Sequence, residues 1–130
     1  MYKIEVTDYG VKLVFSGDVP PEDMKKWLED SIKILKCFEN SFVVFVDMRD
    51  LDILSFEARE YMIQGQEFYR FKGMKRSVVI LNSDFTKMQF QRIAWKTGIY
   101  EWERYIDASN NSDWEKIGLD WIIEGIDPGA

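Results

Sequence analysis

Short apolar runs alternate along the chain with longer stretches in which apolar residues recur every three or four positions. Two of the runs, residues 42–46 (FVVFV) and residues 77–81 (SVVIL), consist mainly of β-branched, aromatic and other apolar side chains. Such runs are too short for helices and are apolar on both faces, which is typical of parallel strands covered on both sides. The pattern therefore predicts an α/β protein.

The chain before the first apolar run predicts a hairpin and a helix. Residues 2–6 and 11–15 alternate in polarity around Asp8-Tyr9-Gly10, a turn-forming trio, so we expect an N-terminal β-hairpin. After Pro20 and Pro21, apolar residues recur at helical spacing. Proline is tolerated in the first turn of a helix, so we expect a helix to begin here.

Two further helices are predicted, one from about Phe56 to Tyr69 with Gly73 after its end, and one from about Phe85 to Thr97. The second of these follows the capping-prone trio Asn82-Ser83-Asp84 and is stopped by Gly98. Trp102, Arg104 and Ile106 alternate with Glu101, Glu103 and Tyr105, which predicts an exposed edge strand. Residues 112–115 (SDWE) have the spacing of a capping box and predict a last short helix.

The elements follow the order β-β-α-β-α-β-α-β-α. Short connections and right-handed crossovers favour strands laid side by side in sequence order, with helices on both faces. A chain of 130 residues with 46% apolar content suits one domain. We expect that domain to span residues 1–124 and residues 125–130 to form a frayed tail.

Charge and composition narrow the classes of partner and location. The chain has 23 acidic and 17 basic residues, a net charge of −6, which disfavours nucleic acid and anionic membranes as partners. No apolar run reaches the length of a membrane helix, so integral membrane association is not expected, and the N-terminal residues lack a signal sequence. A single cysteine, Cys37, excludes an internal disulfide, and we expect it to be packed. These features predict a cytoplasmic protein.

The stretch after the central strand is the main candidate site. Asp47 ends the apolar run, residues 48–54 form a mixed connection, and Ser55 is predicted to cap the following helix. The carboxyl end of a parallel strand is where ligands usually bind in α/β sheets. The candidate partner-binding loop therefore contains five residues: Asp47, Arg49, Asp50, Ser55 and Glu57.

The arrangement, with VVFVDMRDLDILSFEARE at its centre, resembles the STAS superfamily (sulfate transporter and anti-sigma factor antagonist domains), and more closely its SpoIIAA-like branch. The resemblance covers nearly the whole chain, from VTDYGVKLVFSG to SVVIL. It implies a βα superhelix with a mixed, mostly parallel sheet of about five strands. It also implies no catalytic activity in most members, and binding of a partner or a small ligand.

The chain departs from this family at the regulatory serine. Anti-sigma factor antagonists carry Asp-Ser-Ser-Gly at this helix start, where a partner kinase phosphorylates one serine. The four corresponding places hold Ser55, Phe56, Glu57 and Ala58. This departure from the family motif predicts a module without the phosphorylatable switch.

Catalytic and cofactor motifs are missing from the sequence. With no histidine, histidine-based nucleophilic catalysis and histidine-ligated metals are excluded. Asp47, Asp50 and Asp52 lack the glycine and terminal glutamate of a calcium loop, and no glycine-rich nucleotide motif occurs. We expect no enzyme, no metal and no cofactor, and we expect Asp47 to cap the loop or to pair with Arg49.

Apolar residues spread around too much of the third helix for one sheet face to cover them. These residues are expected to line a ligand pocket, to form a homodimer interface or to belong to the core. The candidates for the pocket or interface are Met88, Phe90 and Trp95 on this helix, with Met62 and Trp102 from outside it. The leading hypothesis is a non-enzymatic module that binds an unknown protein partner. The alternative is a carrier or sensor of a small apolar or amphipathic ligand.

Overall fold

The computed structural model describes residues 1–129, in which strands and helices alternate after an initial hairpin. The strands are β1 (Tyr2–Val6), β2 (Gly10–Gly17), β3 (Phe42–Leu51), β4 (Met74–Leu81) and β5 (Glu103–Asp107). The helices are α1 (Pro21–Leu35), α2 (Phe56–Lys72), α3 (Asp84–Thr97) and α4 (Trp114–Leu119). A 3-10 turn, Tyr100–Trp102, precedes β5, and a π-helical segment, Asp120–Glu124, continues α4.

The five strands form one sheet in the order β1-β2-β3-β4-β5. Only β1 and β2 are antiparallel, and each later pair is parallel. The predicted hairpin, the mostly parallel sheet and the sequential strand order are therefore confirmed. Each connection between parallel strands carries a helix, as such crossover connections usually do.

Helices cover both faces of the sheet. Helices α1, α2 and α3 enclose the larger core, and α4 with the π-helical segment covers a smaller cluster on the opposite face. In the larger core the Trp27 ring stacks on Tyr69, with 5.8 Å between ring centroids. A Cβ atom at Gly65 would lie 2.2 Å from the Trp27 ring, so this close approach of α2 to α1 requires glycine.

The predicted starts of α2 and α3 and the predicted end of α3 are confirmed to within one residue, whereas α2 runs three residues past its predicted end, to Lys72. The Ser55 hydroxyl accepts a hydrogen bond from Ala58 N at 3.2 Å, and the helix ends at Gly73 in the left-handed conformation. The predicted capping box at residues 112–115 is wrong. Helix α4 begins after Asp113, and no side-chain bond caps it.

Strand β3 is longer than the sequence indicated. It continues through the predicted loop to Leu51, because β2 continues to Gly17 after a register shift and pairs with it there. The predicted connection at residues 48–54 is therefore wrong, and Asp47, Arg49 and Asp50 lie on a strand. Only residues 52–55 connect β3 to α2.

Two burial predictions are also wrong. Glu103, expected on an exposed edge strand, is only 5% exposed, because its side chain lies on the face of β5 that packs against the larger core. Cys37, expected to be packed, is exposed, because it lies beyond the last turn of α1.

The predicted frayed tail remains a prediction, and Ala130 lies outside the described residues. Within the described part, Asp127 makes a double hydrogen bond with Arg104 on β5, with both N···O distances at 3.0 Å. Across residues 1–129, no helix is both long enough and apolar enough to cross a membrane.

Candidate binding surface at the carboxyl end of the sheet

Asp47 and Arg49 form a fixed pair at the carboxyl end of β3. Arg49 donates to Asp47 through Nε at 3.0 Å, through Nη2 at 2.9 Å and through its backbone N–H at 3.1 Å. Burial raises the pKa of the Asp47 carboxyl, but the hydrogen bonds and charge of Arg49 outweigh it, so the net pKa lies below the ordinary value. The predicted pairing is confirmed.

The Arg49 guanidinium also lies over the ring of Trp114, 4.1 Å from the ring centroid. Trp114 opens α4, on the smaller-core face of the sheet. Because Arg49 is held by a carboxylate on one side and by an indole on another, it has little freedom to recognise a partner. Together with the Trp114 contact, this pair joins β3 to α4.

The five residues of the predicted loop consequently do not form one site. Side chains alternate between the faces of a strand, and Asp47 and Arg49 lie on the face that α4 covers. Ser55 and Glu57 lie at the start of α2, which packs on the opposite face. Asp50 is exposed on the last part of β3.

The short connection before α2 is held against α3 by one amide side chain. Gln89 Oε1 accepts from Leu54 N at 3.1 Å, and Gln89 Nε2 donates to Leu54 O at 3.0 Å. The side chain of Leu54 is buried and its backbone N–H and C=O are both bonded to Gln89, so the connection is held at both its side chain and its backbone. Sequence analysis missed Gln89, because a polar residue on a helix gives no signal of a distant backbone partner.

Large apolar side chains close in sequence to Leu54 and to Gln89 remain exposed. Ile53 precedes Leu54, Phe56 opens α2, and Phe85 and Met88 lie within one turn of Gln89 on α3. The exposed fractions are 59% for Ile53, 68% for Phe56, 73% for Phe85 and 51% for Met88. We call these four residues the apolar end surface.

A groove between α2 and α3 adjoins this surface. It has a volume of about 170 Å³, and its lining includes Phe56, Ile63 and Gln89, with Arg59, Arg92 and Lys96 as cationic members. The Arg59 guanidinium lies 5.7 Å from the centroid of the Phe56 ring. The groove also contains Glu60, so the apolar end surface is bordered on one side by three basic side chains and one acidic one.

The five residues predicted to line a pocket, an interface or the core separate into two groups. Met62 and Phe90 are buried in the larger core, at 3% and 0% exposure. Met88, Trp95 and Trp102 are exposed. Trp95 packs edge-on against Tyr100, with centroids 4.7 Å apart, whereas Trp102 lies near the Arg70 guanidinium in a different depression. No single pocket collects all five.

A small internal cavity lies between the sheet and the covering helices. It leaves about 30 Å³ open to the centre of a water molecule, room for one or two waters. Three methionines line it (Met48, Met62 and Met74), together with polar Gln66 and Glu103. Trp27 also lines it, and its indole Nε1 is buried without a hydrogen-bond partner among the described residues.

Glu103 is a second residue that sequence analysis missed. Its carboxylate accepts hydrogen bonds from Ser77 Oγ at 2.7 Å and from the Tyr105 hydroxyl at 2.5 Å. Burial raises the pKa of Glu103 to about 7, although both hydrogen bonds act to lower it. The pairing of Ser77 with Glu103 across β4 and β5 could have identified Glu103 as buried, but this pairing follows only from the strand order and register.

The hairpin, the sequential strand order and the helices on both faces define a SpoIIAA-like α/β fold. The structure is similar to the crystal structure of an uncharacterized protein from the DUF3478 family, with a SpoIIAA-like fold, from Shewanella loihica PV-4. The two chains share 18% identity and a TM-score of 0.63, over 94% of this chain and 92% of the other. No protein-family model and no curated protein matches the sequence. The fold predicted from the STAS resemblance is thereby confirmed.

Proposed function

We propose that this protein is a cytoplasmic, non-enzymatic binding module that holds a protein partner on its apolar end surface. The observation that supports the proposal is the set of four large apolar side chains, each more than half exposed, close in sequence to Leu54 and to Gln89. Large exposed apolar residues grouped in one region of a surface are typical of interaction sites. Aromatic residues such as Phe56 and Phe85 serve as anchors in protein interfaces.

The backbone beneath this surface is held in place before any partner arrives. Gln89 fixes Leu54, and the Ser55 hydroxyl fixes the first turn of α2. A surface on ordered backbone avoids the entropy cost of ordering a loop during binding. This rigidity favours recognition by a partner over a role as a mobile lid.

The proposed module works without a phosphoserine switch at this helix start. The Ser55 hydroxyl already accepts from Ala58 N, and Phe56 and Glu57 occupy the two serine places of the family motif. Glu57 supplies a permanent negative charge in the first turn, where it complements the helix dipole. Partner binding is therefore set by the apolar side chains and not by a kinase.

The test compares two variants in the host of the protein. The double variant Phe56→Ser, Phe85→Ser removes both aromatic anchors from the apolar end surface. Phe71→Ser is the matched control, because Phe71 is 85% exposed at the opposite end of α2. Native mass spectrometry of the purified proteins should show a stoichiometric partner with wild type and with the control, and none with the double variant. Equal partner occupancy in all three folded proteins would reject this surface.

A carrier or sensor of a small apolar or amphipathic ligand stays a second candidate, although the internal cavity has room for only one or two water molecules and a ligand would have to enlarge it. Methionine side chains adapt to irregular shapes, and the Trp27 N–H is a buried donor with no acceptor. In this case a small molecule should co-purify, and Trp27→Phe, which removes the N–H and keeps an aromatic ring, should lower its occupancy. Native mass spectra of wild type with no bound mass would reject the carrier.

A further inference from the structure

Strand β1 has a free edge whose backbone hydrogen-bonding groups have no partner among residues 1–129. Thr7 N donates to Gly10 O and Ser16 N donates to Met1 O, both at 2.9 Å. In an antiparallel pair, alternate residues bond across the ladder, so Lys3 and Glu5 also direct their backbone groups to β2. The N–H and C=O groups of Tyr2, Ile4 and Val6 therefore point away from the sheet.

The opposite edge of the sheet is protected by its own side chains. On β5, Arg104 Nη1 donates to the carbonyls of Glu101 at 2.9 Å and Glu103 at 3.0 Å. Covering an edge with charged side chains is a common way to prevent further pairing. The charged residues of β1 leave its backbone uncovered, because Lys3 Nζ and Glu5 Oε1 bind each other at 2.7 Å along the strand.

The sequence of β1, Tyr2-Lys3-Ile4-Glu5-Val6, is complementary to itself when read antiparallel. We propose that β1 pairs with β1 of a second copy of this chain, with the two-fold axis at Ile4, to form one continuous sheet. Ile4 then faces Ile4 of the second copy, and Tyr2 faces Val6. Each of these positions carries the outward N–H and C=O groups, so each pair exchanges two backbone hydrogen bonds. Lys3 of each copy faces Glu5 of the other.

The charges of Lys3 and Glu5 favour the register with its axis at Ile4 over the two neighbouring registers. A two-fold axis at Lys3 would place two lysines directly opposite each other, and an axis at Glu5 would place two glutamates opposite each other. Like charges at directly opposed positions are destabilising, and opposite charges are stabilising. Lys3 and Glu5 also occupy non-hydrogen-bonded positions in the proposed pairing, where opposed side chains approach most closely.

The proposed pairing also covers an exposed apolar residue. Val6 is 64% exposed at the end of β1. Tyr2 and Ile4, on the same face as Val6 by strand alternation, already pack against the larger core. In the dimer, Val6 of each copy lies beside Tyr2 of the other, which extends the apolar face of the sheet across the axis.

Two charge variants and their mixture test the proposal. Lys3→Glu places two acidic residues opposite two acidic residues in the homodimer, and Glu5→Lys places basic residues opposite basic ones. Each variant alone should dimerise about tenfold to a hundredfold more weakly than wild type in sedimentation equilibrium. An equimolar mixture should form a heterodimer, because every Glu then faces a Lys. The double variant Lys3→Glu, Glu5→Lys should dimerise as wild type does.

Lys96→Glu and Glu67→Lys are the matched controls, since both residues are exposed, on α3 and α2, and repeat the same charge changes away from β1. Both should leave the dimer unchanged. The heterodimer in the mixture reports on folding at the same time, because misfolded variants would not restore it. A monomeric wild type at about 100 μM, or a mixture no more dimeric than the single variants, would overturn the proposal.

Discussion

Gln89 and Leu54 exchange two hydrogen bonds that copy the pairing of one strand residue with another. The side-chain carbonyl accepts from Leu54 N at 3.1 Å and the side-chain amide donates to Leu54 O at 3.0 Å. Helix α3 thereby holds a connection that has no backbone partner of its own at this residue. The apolar end surface depends on this bond, because its four members belong to the two segments that the bond joins.

Gln89→Ala should release this connection. Removing the amide leaves the N–H and C=O of the buried Leu54 without partners. We therefore expect the unfolding free energy, measured in urea melts, to fall by about 1–2 kcal/mol. The Leu54 amide should also exchange hydrogen faster, without a similar change at the centre of the sheet. Gln64→Ala, an exposed change on α2, is the control. Unchanged exchange at Leu54 would show that the bond does not hold the connection.

Ser55 should act as a cap and in no other way. Ser55→Ala removes the acceptor of the Ala58 N–H and should lower the unfolding free energy by about 1 kcal/mol, whereas Ser55→Asp should change it little. Urea melts of both variants check this. A similar loss in both would mean that the hydroxyl group contributes something that a carboxylate cannot replace.

Ser55 should also stay unmodified by the serine kinases of the host. When the protein is incubated with ATP and extract from its host, peptides spanning residues 46–59 should carry no stoichiometric phosphate. Phosphate on Ser55 would have to replace an existing helix-capping bond, and it would add about −1.5 to −2 charges next to Glu57. Stoichiometric phosphorylation at Ser55 would contradict this prediction and would show that the helix start carries a phosphorylation switch.

The order of elements could be predicted because local patterns carry it. The apolar run in β3, the capping serines at 55 and 83 and the glycines that end α2 and α3 are all short-range signals, and the structure confirms them. The end of β3 is different, since it depends on a register shift in β2 about thirty residues earlier in the chain. No feature local to residues 47–51 reveals that a partner strand reaches so far.

The candidate site was predictable only in part for the same reason. Asp47 and Arg49 are two residues apart, so their pairing could be expected. Trp114 lies over the same guanidinium from a helix near the other end of the chain. Glu103 shows the strongest contrast, because its alternating position predicts exposure. Ser77 and Tyr105 instead supply the hydroxyl groups that allow a carboxylate to be buried.

Arg49→Ala should expose the cost of burying Asp47 without a partner. The variant keeps the desolvated carboxylate and loses its hydrogen bonds and the contact with Trp114, so we expect a loss of about 1–2 kcal/mol at pH 7. In wild type the pKa of Asp47 is lowered, so its contribution is present above the ordinary value of 3.8 and disappears as the pH falls through the lowered pKa. The deficit of the variant should therefore shrink between pH 5 and pH 3. A deficit independent of pH would assign the effect to Trp114 alone.

Glu103 should make the protein less stable as the pH rises towards neutrality. The pKa of Glu103 is raised from 4.5 to about 7 in the folded chain, so between these values the folded state binds more protons than the unfolded state. The unfolding free energy must then fall through this window, by about 1.4 kcal/mol for each pKa unit of difference. Below pH 4.5 the carboxyl is neutral in both states and contributes no pH dependence. Above pH 7 the penalty is complete and constant.

Glu103→Gln should remove this dependence. A glutamine carbonyl can still accept from Ser77 or Tyr105, and the side chain stays neutral at every pH. In urea melts, wild type and variant should be similarly stable at pH 5, and the variant should be more stable by about 2–3 kcal/mol at pH 8. Glu101→Gln, an exposed change in the adjacent 3-10 turn, should follow the wild-type curve. Parallel pH curves for wild type and Glu103→Gln would show that the Glu103 carboxylate ionises as readily in the folded chain as in the unfolded one.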